Sequence, residues 1–311
     1  MTTKNVAITG SSGLLGRAVA AHFIAEGDQV ISLANSRADR DPRYTKLDLL
    51  DEDAVKAFFG THKVDIVVHC AAERRPDVAE ANPEKAAQIN AAVPALLASL
   101  SRAQKFTLIY ISTDYVFDGK NPPYEVDDIP NPLQMYGRQK LAGEKAILAE
   151  REQGAPVTIL RVPILYGKTE YNAESAVNVL LDVVQDQSGK TYKMDARQVR
   201  FPTNVEDVSR VLHDLAPYFE KLVTDLDKSL PSILHYSSPG PALTKYDMTK
   251  IIAKHLKVPI DHVIKDTLVP TDATPRPENT QLDTKALQDL GIDINERQPF
   301  DQWWAKYVKE E

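Results

Sequence analysis

Two parts of this chain combine residue types in ways that point to chemistry. In the first, Thr9-Gly10-Ser11-Ser12-Gly13-Leu14-Leu15-Gly16 spaces three glycines three residues apart, directly after a short β-branched run. Gly10 permits a tight turn, Gly13 lets backbone approach a pyrophosphate, and Gly16 lets the following helix pack close to a sheet. The N-terminus of that helix, with Ser12, Leu14 and Leu15 around it, offers unpaired N–H groups and the positive end of a dipole to the anion. In the second, Tyr136 and Lys140 open a long helical pattern at i, i+4, so their side chains share one face. An ammonium beside a phenol favours the phenolate, which suits Tyr136 to acid or base work near neutral pH. Upstream, Ser112-Thr113-Asp114 ends an apolar run, where open α/β sheets place their ligands, and a hydroxyl there can hydrogen-bond a carbonyl oxygen.

The nucleotide is read from the end of the second strand. An NAD site usually carries Asp or Glu there to accept from the ribose 2′-hydroxyl. This chain has Ala34-Asn35-Ser36-Arg37, with no carboxylate before Asp39. The planar guanidinium of Arg37 suits a 2′-phosphate, with Asn35 and Ser36 donating beside it, and the expected cofactor is NADP. The alternative for Arg37 is a solvated loop cation. Asp48-Leu49, after a third short strand, is placed to meet the adenine, or Asp48 is a carboxylate at a helix N-terminus.

These groups need a scaffold that brings strand ends to one edge. Short apolar runs alternate with helical periods, the pattern of a parallel sheet covered by helices. Strands are predicted over 5–9, 29–34, 64–70, 106–112 and 157–162, and helices over 14–26, 51–59, 83–103 and 136–150. Beyond about residue 167, helical patterns at 174–185, 205–215, 244–256 and 284–290 are separated by Pro-rich loops, one of them holding Pro270, Pro275 and Pro277. The expected fold is α/β, a Rossmann-type doubly wound parallel sheet over residues 1–166 with a smaller C-terminal substrate-binding lobe over 167–311. A segment near 203–216 is expected to return to the sheet domain.

Composition narrows the partners. The 311 residues are 43% hydrophobic and 26% charged, which excludes a disordered or fibrous chain. Lys plus Arg at 37 against Asp plus Glu at 44 leaves a net charge of −7 without a basic block, which argues against nucleic acid or an anionic membrane surface. No apolar run nears the ~20 residues that cross a bilayer, and no signal peptide is evident, so a cytoplasmic location is expected. Cys70 is the single cysteine, which excludes an intrachain disulfide and a thiolate cluster. His62 and His69 have no partner at ligand spacing, and no metal is expected.

On these residues the chain resembles the extended short-chain dehydrogenase/reductase superfamily: Gly10, Gly13 and Gly16 match its cofactor loop, Thr113, Tyr136 and Lys140 its catalytic triad, and Asn90 its helix asparagine. Ile111-Ser112-Thr113-Asp114-Tyr115-Val116-Phe117-Asp118-Gly119 is similar to the dTDP-4-dehydrorhamnose reductase family, which implies NADPH-dependent reduction of a nucleotide-linked 4-keto-sugar. His69-Cys70-Ala71-Ala72-Glu73-Arg74-Arg75-Pro76-Asp77-Val78, Arg161-Val162-Pro163-Ile164-Leu165-Tyr166-Gly167, Arg200-Phe201-Pro202-Thr203 and Gln281-Leu282-Asp283 resemble the branch of that family formed by regulatory beta subunits of methionine adenosyltransferase. That resemblance implies the methionine adenosyltransferase catalytic subunit as partner. It also implies NADP contacts at Gly13, Leu14, Leu15 and Gly16, at Asn35, Ser36 and Arg37, and at Asp48 and Leu49. Cys70, Ala71, Ala72, Arg74, Asn90, Tyr136, Lys140 and Leu165 complete the expected contacts. The segment 302–311 does not resemble the tail by which such subunits engage their partner. Arg74, Arg75 and Arg200 are read either as cleft cations or as structural ion-pair partners. Trp303 and Trp304 are read as a packing anchor or a partner surface.

Overall fold

Residues 3–224, 231–268 and 274–310 are described by the computed structural model; Pro270 of the predicted Pro-rich loop lies outside them. The first half alternates as expected: β1 Asn5–Thr9, α1 Leu14–Ala25, β2 Gln29–Ala34, β3 Thr45–Lys46, α2 Glu52–Thr61 and β4 Ile66–His69. Helices α3 Pro76–Ala81, α4 Pro83–Ala87 and α5 Val93–Gln104 follow, then β5 Thr107–Thr113, α6 Met135–Glu152, β6 Val157–Val162 and β7 Leu165–Tyr166. The later elements are α7 Val179–Gln185, β8 Tyr192–Asp195, β9 Thr203–Asn204, α8 Val205–Asp214, α9 Ala216–Thr224, β10 Ile233–His235, α10 Lys245–Leu256, β11 Val263–Asp266, α11 Lys285–Asp289 and α12 Phe300–Glu310.

Seven strands form one sheet in the order β10-β6-β5-β4-β1-β2-β3, with parallel pairing throughout. Alternate side chains of the central strands enter opposite cores, which is why these strands read as unbroken apolar runs. Val6, Ile8, Val68 and Ile109 face a core closed by α1, α8 and α9. Ala7, Val67, Leu108 and Tyr110 face a second core closed by α2, α5 and α6. A third core, around Val177, Leu181, Met248, Ile252, Trp303 and Trp304, organises the C-terminal lobe. Both tryptophans are buried there, Trp303 against Tyr166 and Tyr307 and Trp304 against Phe300 and Tyr307, so they anchor the lobe and are not a partner surface.

Two predicted helices are interrupted, each for a local reason. The helix predicted over 83–103 breaks into α4, a π-helical turn Gln88–Ala92, and α5. Pro94 has no N–H to give the carbonyl of Asn90, and that oxygen instead accepts from the Tyr110 hydroxyl at 3.0 Å. The helix predicted over 174–185 begins only at Val179. Ser175 Oγ accepts from the N–H groups of Val177 and Asn178 and donates to Leu165 O at 2.8 Å, leaving Glu174 on a short 3-10 turn.

Beneath the sheet's carboxyl edge lies a buried ion pair. Arg161 on β6 donates to both oxygens of Glu144 on α6, at 2.9 and 2.7 Å, with side-chain exposures of 2% and 1%. Ser112 donates to the same carboxylate at 2.5 Å, and Arg161 reaches His235 Nε2 on β10 at 3.2 Å. Removing one partner leaves an uncompensated buried charge, so Glu144→Leu should lower unfolding free energy by about 3–5 kcal/mol. The double variant Glu144→Leu/Arg161→Met should recover much of that loss in urea melts. Additive losses from the two changes would contradict this account of the pair.

Candidate functional site

A cleft of about 1290 Å³ runs along the carboxyl ends of β1, β2, β4, β5 and β6. The loop between β1 and α1 forms its floor. Gly10 has φ +66°, and a Cβ there would lie 2.8 Å from the Ala71 backbone after β4, so this glycine lets two strand-end loops meet. A Cβ on Gly16 would collide with the Gly10 carbonyl oxygen, so Gly16 fixes how closely α1 approaches the turn. Gly13 is different: its φ of −87° suits any residue, and a Cβ would meet nothing nearer than 3.4 Å. It faces the cleft, and the protein's own packing does not require a glycine there. Gly13 is also the N-cap of α1 and supplies no side-chain cap, leaving first-turn N–H groups toward the cleft. An open glycine in front of an uncapped helix N-terminus fits a diphosphate, and the donor set fits a dinucleotide.

Most of the predicted site residues line this cleft. Gly10, Ser12, Gly13, Leu14, Leu15 and Gly16 do so from the loop, and Asn35, Ser36, Asp48 and Leu49 from the ends of β2 and β3. Cys70, Ala71, Ala72 and Arg74 follow β4, and Thr113, Tyr136, Lys140 and Leu165 close the other side. Burial pushes the Cys70 thiol up to about 12, which makes it a wall and not a nucleophile.

Two predicted residues stand outside the lining. Asn90 is fully buried: it accepts from Glu73 N–H and donates to Glu73 O, both at 3.0 Å, and so holds the loop that follows β4. Its amide also donates to Gln139 Oε1 at 3.2 Å, so Asn90 stands behind the cleft wall rather than in its lining. Arg37 donates to Ser12 O at 3.0 Å and pairs with Glu170 and, at 3.5 Å, with Glu174. It is therefore not the solvated cation that sequence alone allowed.

The tyrosine and lysine meet different surroundings from those their spacing suggested. Burial raises the Tyr136 phenol above its ordinary value, and the nearby Thr113 hydroxyl and Arg74 charge offset this only in part. Lys140 is engaged by the strand behind it. Its Nζ donates to Ile111 O at 2.7 Å and sits 3.9 Å above the Tyr110 ring, and burial brings it down to about 7 despite Glu144. Thr113 donates to Asp114 Oδ1 and accepts from Tyr115 N–H, each at 3.2 Å. Burial pushes Asp114 up to about 6, against the pull of the Thr280 hydroxyl and Arg200. His69, stacked on Tyr110, is driven down to about 3 by burial and stays neutral.

The far end of the cleft is cationic and partly paired. Arg75 binds Glu73 at 2.8 Å, Arg74 donates to Ala173 O at 3.0 Å, and Arg276 crosses to Asp77 at 3.0 Å. Arg200 lines the cleft while buried, donating to Pro277 O and Gln198 Oε1 rather than to a carboxylate. Sequence reasoning missed Glu174, Lys245 and Asp195 as lining residues. The one available signal was Thr244-x-x-Asp247, a capping box that starts α10 at Lys245 and so places that residue at a helix mouth.

Folding lowers the Lys140 pKa, so the unfolded chain binds the extra proton between about 7 and 10.5, and stability rises with pH across that window. Below it, the cost of the buried charge is fully present; above it, the cost is gone. Lys140→Met should therefore gain stability relative to wild type near pH 6 and lose that advantage near pH 10, a change on the order of a few kcal/mol in denaturant melts. A difference independent of pH would show that Lys140 stays charged when folded.

Comparison with known proteins places this geometry. Residues 4–308 match the family model described as RmlD substrate binding domain. Methionine adenosyltransferase 2 subunit beta of Xenopus tropicalis is 44% identical over 297 residues, covering 96% of this chain and 85% of that protein. The Rattus norvegicus subunit is 44% identical over 298 residues with the same coverage. A dTDP-4-dehydrorhamnose reductase of Mycolicibacterium smegmatis is 38% identical over 199 residues, 62% of this chain and 58% of that one. Among solved structures, the dTDP-4-dehydrorhamnose reductase of Bacillus anthracis in complex with NADP superposes with a TM-score of 0.80 at 23% identity, over 100% of this chain and 99% of that one. The chain therefore belongs to the RmlD substrate binding domain family, alongside the beta subunits of methionine adenosyltransferase 2.

Proposed function

We propose that this chain binds NADP(H) in the cleft and serves as the beta-type regulatory subunit of a methionine adenosyltransferase, in S-adenosylmethionine biosynthesis. The observation that carries the regulatory reading is 44% identity to such subunits across 96% of the chain. In this reading residues 1–166 form the cofactor domain, to which the segment near 203–216 returns together with α9 and β10, and the rest of 167–311 forms the second lobe. Gly10, Ser12, Gly13, Leu14, Leu15 and Gly16 hold the diphosphate. Asn35, Ser36 and Arg37 meet the 2′-phosphate, and Asp48 and Leu49 meet the adenine. Cys70, Ala71, Ala72, Arg74 and Leu165 form walls, and Asn90 acts at one remove by holding Glu73. Because Trp303 and Trp304 are buried, partner affinity rests on other parts of the globular surface.

A second reading, reduction of a nucleotide-linked 4-keto-sugar, is favoured by the convergence of Thr113, Tyr136 and Lys140 on one cleft. When bound, the cofactor supplies a hydride. Tyr136, kept protonated by burial, holds a proton at its phenol oxygen for a substrate carbonyl; Thr113 orients that carbonyl, and Lys140 lies one helical turn on.

One experiment separates the readings. The protein is co-purified with the methionine adenosyltransferase catalytic subunit of the same organism, and S-adenosylmethionine synthesis is followed with and without NADPH. A stable complex with altered kinetics is expected. No association at micromolar concentration, together with oxidation of NADPH by a dTDP-4-keto-6-deoxysugar that Tyr136→Phe slows by roughly 10²–10⁴-fold, would transfer the assignment to the reductase.

A further inference from the structure

Beside the end of β2, two cations and two carboxylates form a closed cluster. Arg17 on α1 grips Glu174 with two hydrogen bonds of 2.9 and 2.6 Å, and Glu174 is only 6% exposed. Glu174 also accepts the N–H of Glu170 at 2.9 Å, so its position is fixed from both sides. Burial works against its charge, but the Arg17 hydrogen bonds, with Arg17 and Arg37 nearby, hold the carboxyl below its usual range. Glu170 is different. It is 42% exposed, its carboxylate closes directly on the Arg37 guanidinium, and it stands 3.9 Å from Arg17. Both arginines donate to the carbonyl of Ser12, at 2.7 and 3.0 Å, which ties the cluster to the glycine loop.

The cluster leaves no surplus positive charge for an incoming anion. Asn35 and Ser36 face the cleft, while the Arg37 fork between them and Glu170 is already filled. We infer that Glu170 is a specificity-determining residue: its carboxylate occupies the guanidinium that a ribose 2′-phosphate takes, so NADP(H) binds by displacing it and NAD(H) binds without that exchange. This rests on the reading of the cleft as an NADP(H) site. The exchange is feasible because the Arg37–Glu170 pair is partly exposed and screened, whereas a phosphate monoester brings nearly twice the charge and three acceptor oxygens. Glu174 cannot yield in the same way, since Arg17 holds it in a buried bidentate pair. The consequence is a chain that prefers NADP(H) by less than Arg37 alone would give, with Glu170 setting the discount.

The test is calorimetric titration of wild type, Glu170→Gln, Arg37→Ala and the double variant. The probes are NADPH and NADH, and adenosine 2′,5′-bisphosphate and AMP to isolate the adenosine end. Glu170→Gln should bind NADPH and the bisphosphate about 3- to 10-fold more tightly while NADH and AMP change by less than about 2-fold. The gain should vanish in the Arg37→Ala background and shrink in roughly 0.5 M salt. An unchanged NADPH-to-NADH ratio in Glu170→Gln, with a ratio lowered by Arg37→Ala, overturns the inference and leaves the phosphate role of Arg37 standing. Equal weakening of all four ligands also overturns it, by showing that Glu170 only shapes the wall. A ratio near one in every variant removes the inference and the NADP assignment together.

Discussion

The cleft depends on a change of direction in the sheet. From β1 the chain steps outward through β2 to β3, whereas β4, β5, β6 and β10 step the opposite way. Loops leaving the carboxyl ends of β1 and β4 therefore diverge, and a crevice opens between them. They still have to touch at their base, and they do so at Gly10, where any side chain would run into Ala71. The same turn sets the height of α1 through Gly16, and α1 in turn is the main support for α8 in the first core. Two tight backbone contacts in this turn thus decide the floor of the site and the packing of the returning helix.

Below that floor the protein buries polar groups in a connected layer. Arg161 and Glu144 join β6 to α6, Ser112 joins them to β5, and His235 carries the connection to β10. Lys140 stands one helical turn before Glu144, held by Ile111 O and the Tyr110 ring. The π-helical turn belongs to the same layer, because the Asn90 carbonyl freed by Pro94 takes the Tyr110 hydroxyl. The Lys140 side chain is therefore set by this polar layer as much as by its i, i+4 spacing from Tyr136.

What could be read from sequence was local. The glycine turn, the apolar strands and the strand-end Thr113 each carry their signal within a few residues, and each was placed as expected. What could not be read lies far apart along the chain. Glu174 meets Arg17 across 157 residues, and Arg276 meets Asp77 across 199. No window around Arg37 reveals the carboxylates waiting for it. The exposure of Trp303 and Trp304 was equally undecidable until the lobe core was known. Asn90 kept its place in the pattern but acts through the Glu73 backbone, a distinction that only hydrogen-bond geometry supplies.

The central claim is that the space in front of Gly13 belongs to a dinucleotide. Because the Gly13 backbone suits any residue and a Cβ there meets no protein atom nearer than 3.4 Å, Gly13→Ala separates folding from binding. Titration of the Gly13→Ala protein with NADPH, beside its thermal melt, is the most direct measurement. The account predicts a melting temperature close to wild type and affinity lower by roughly tenfold or more, about 1.4 kcal/mol. Wild-type NADPH affinity in a folded Gly13→Ala protein would contradict it.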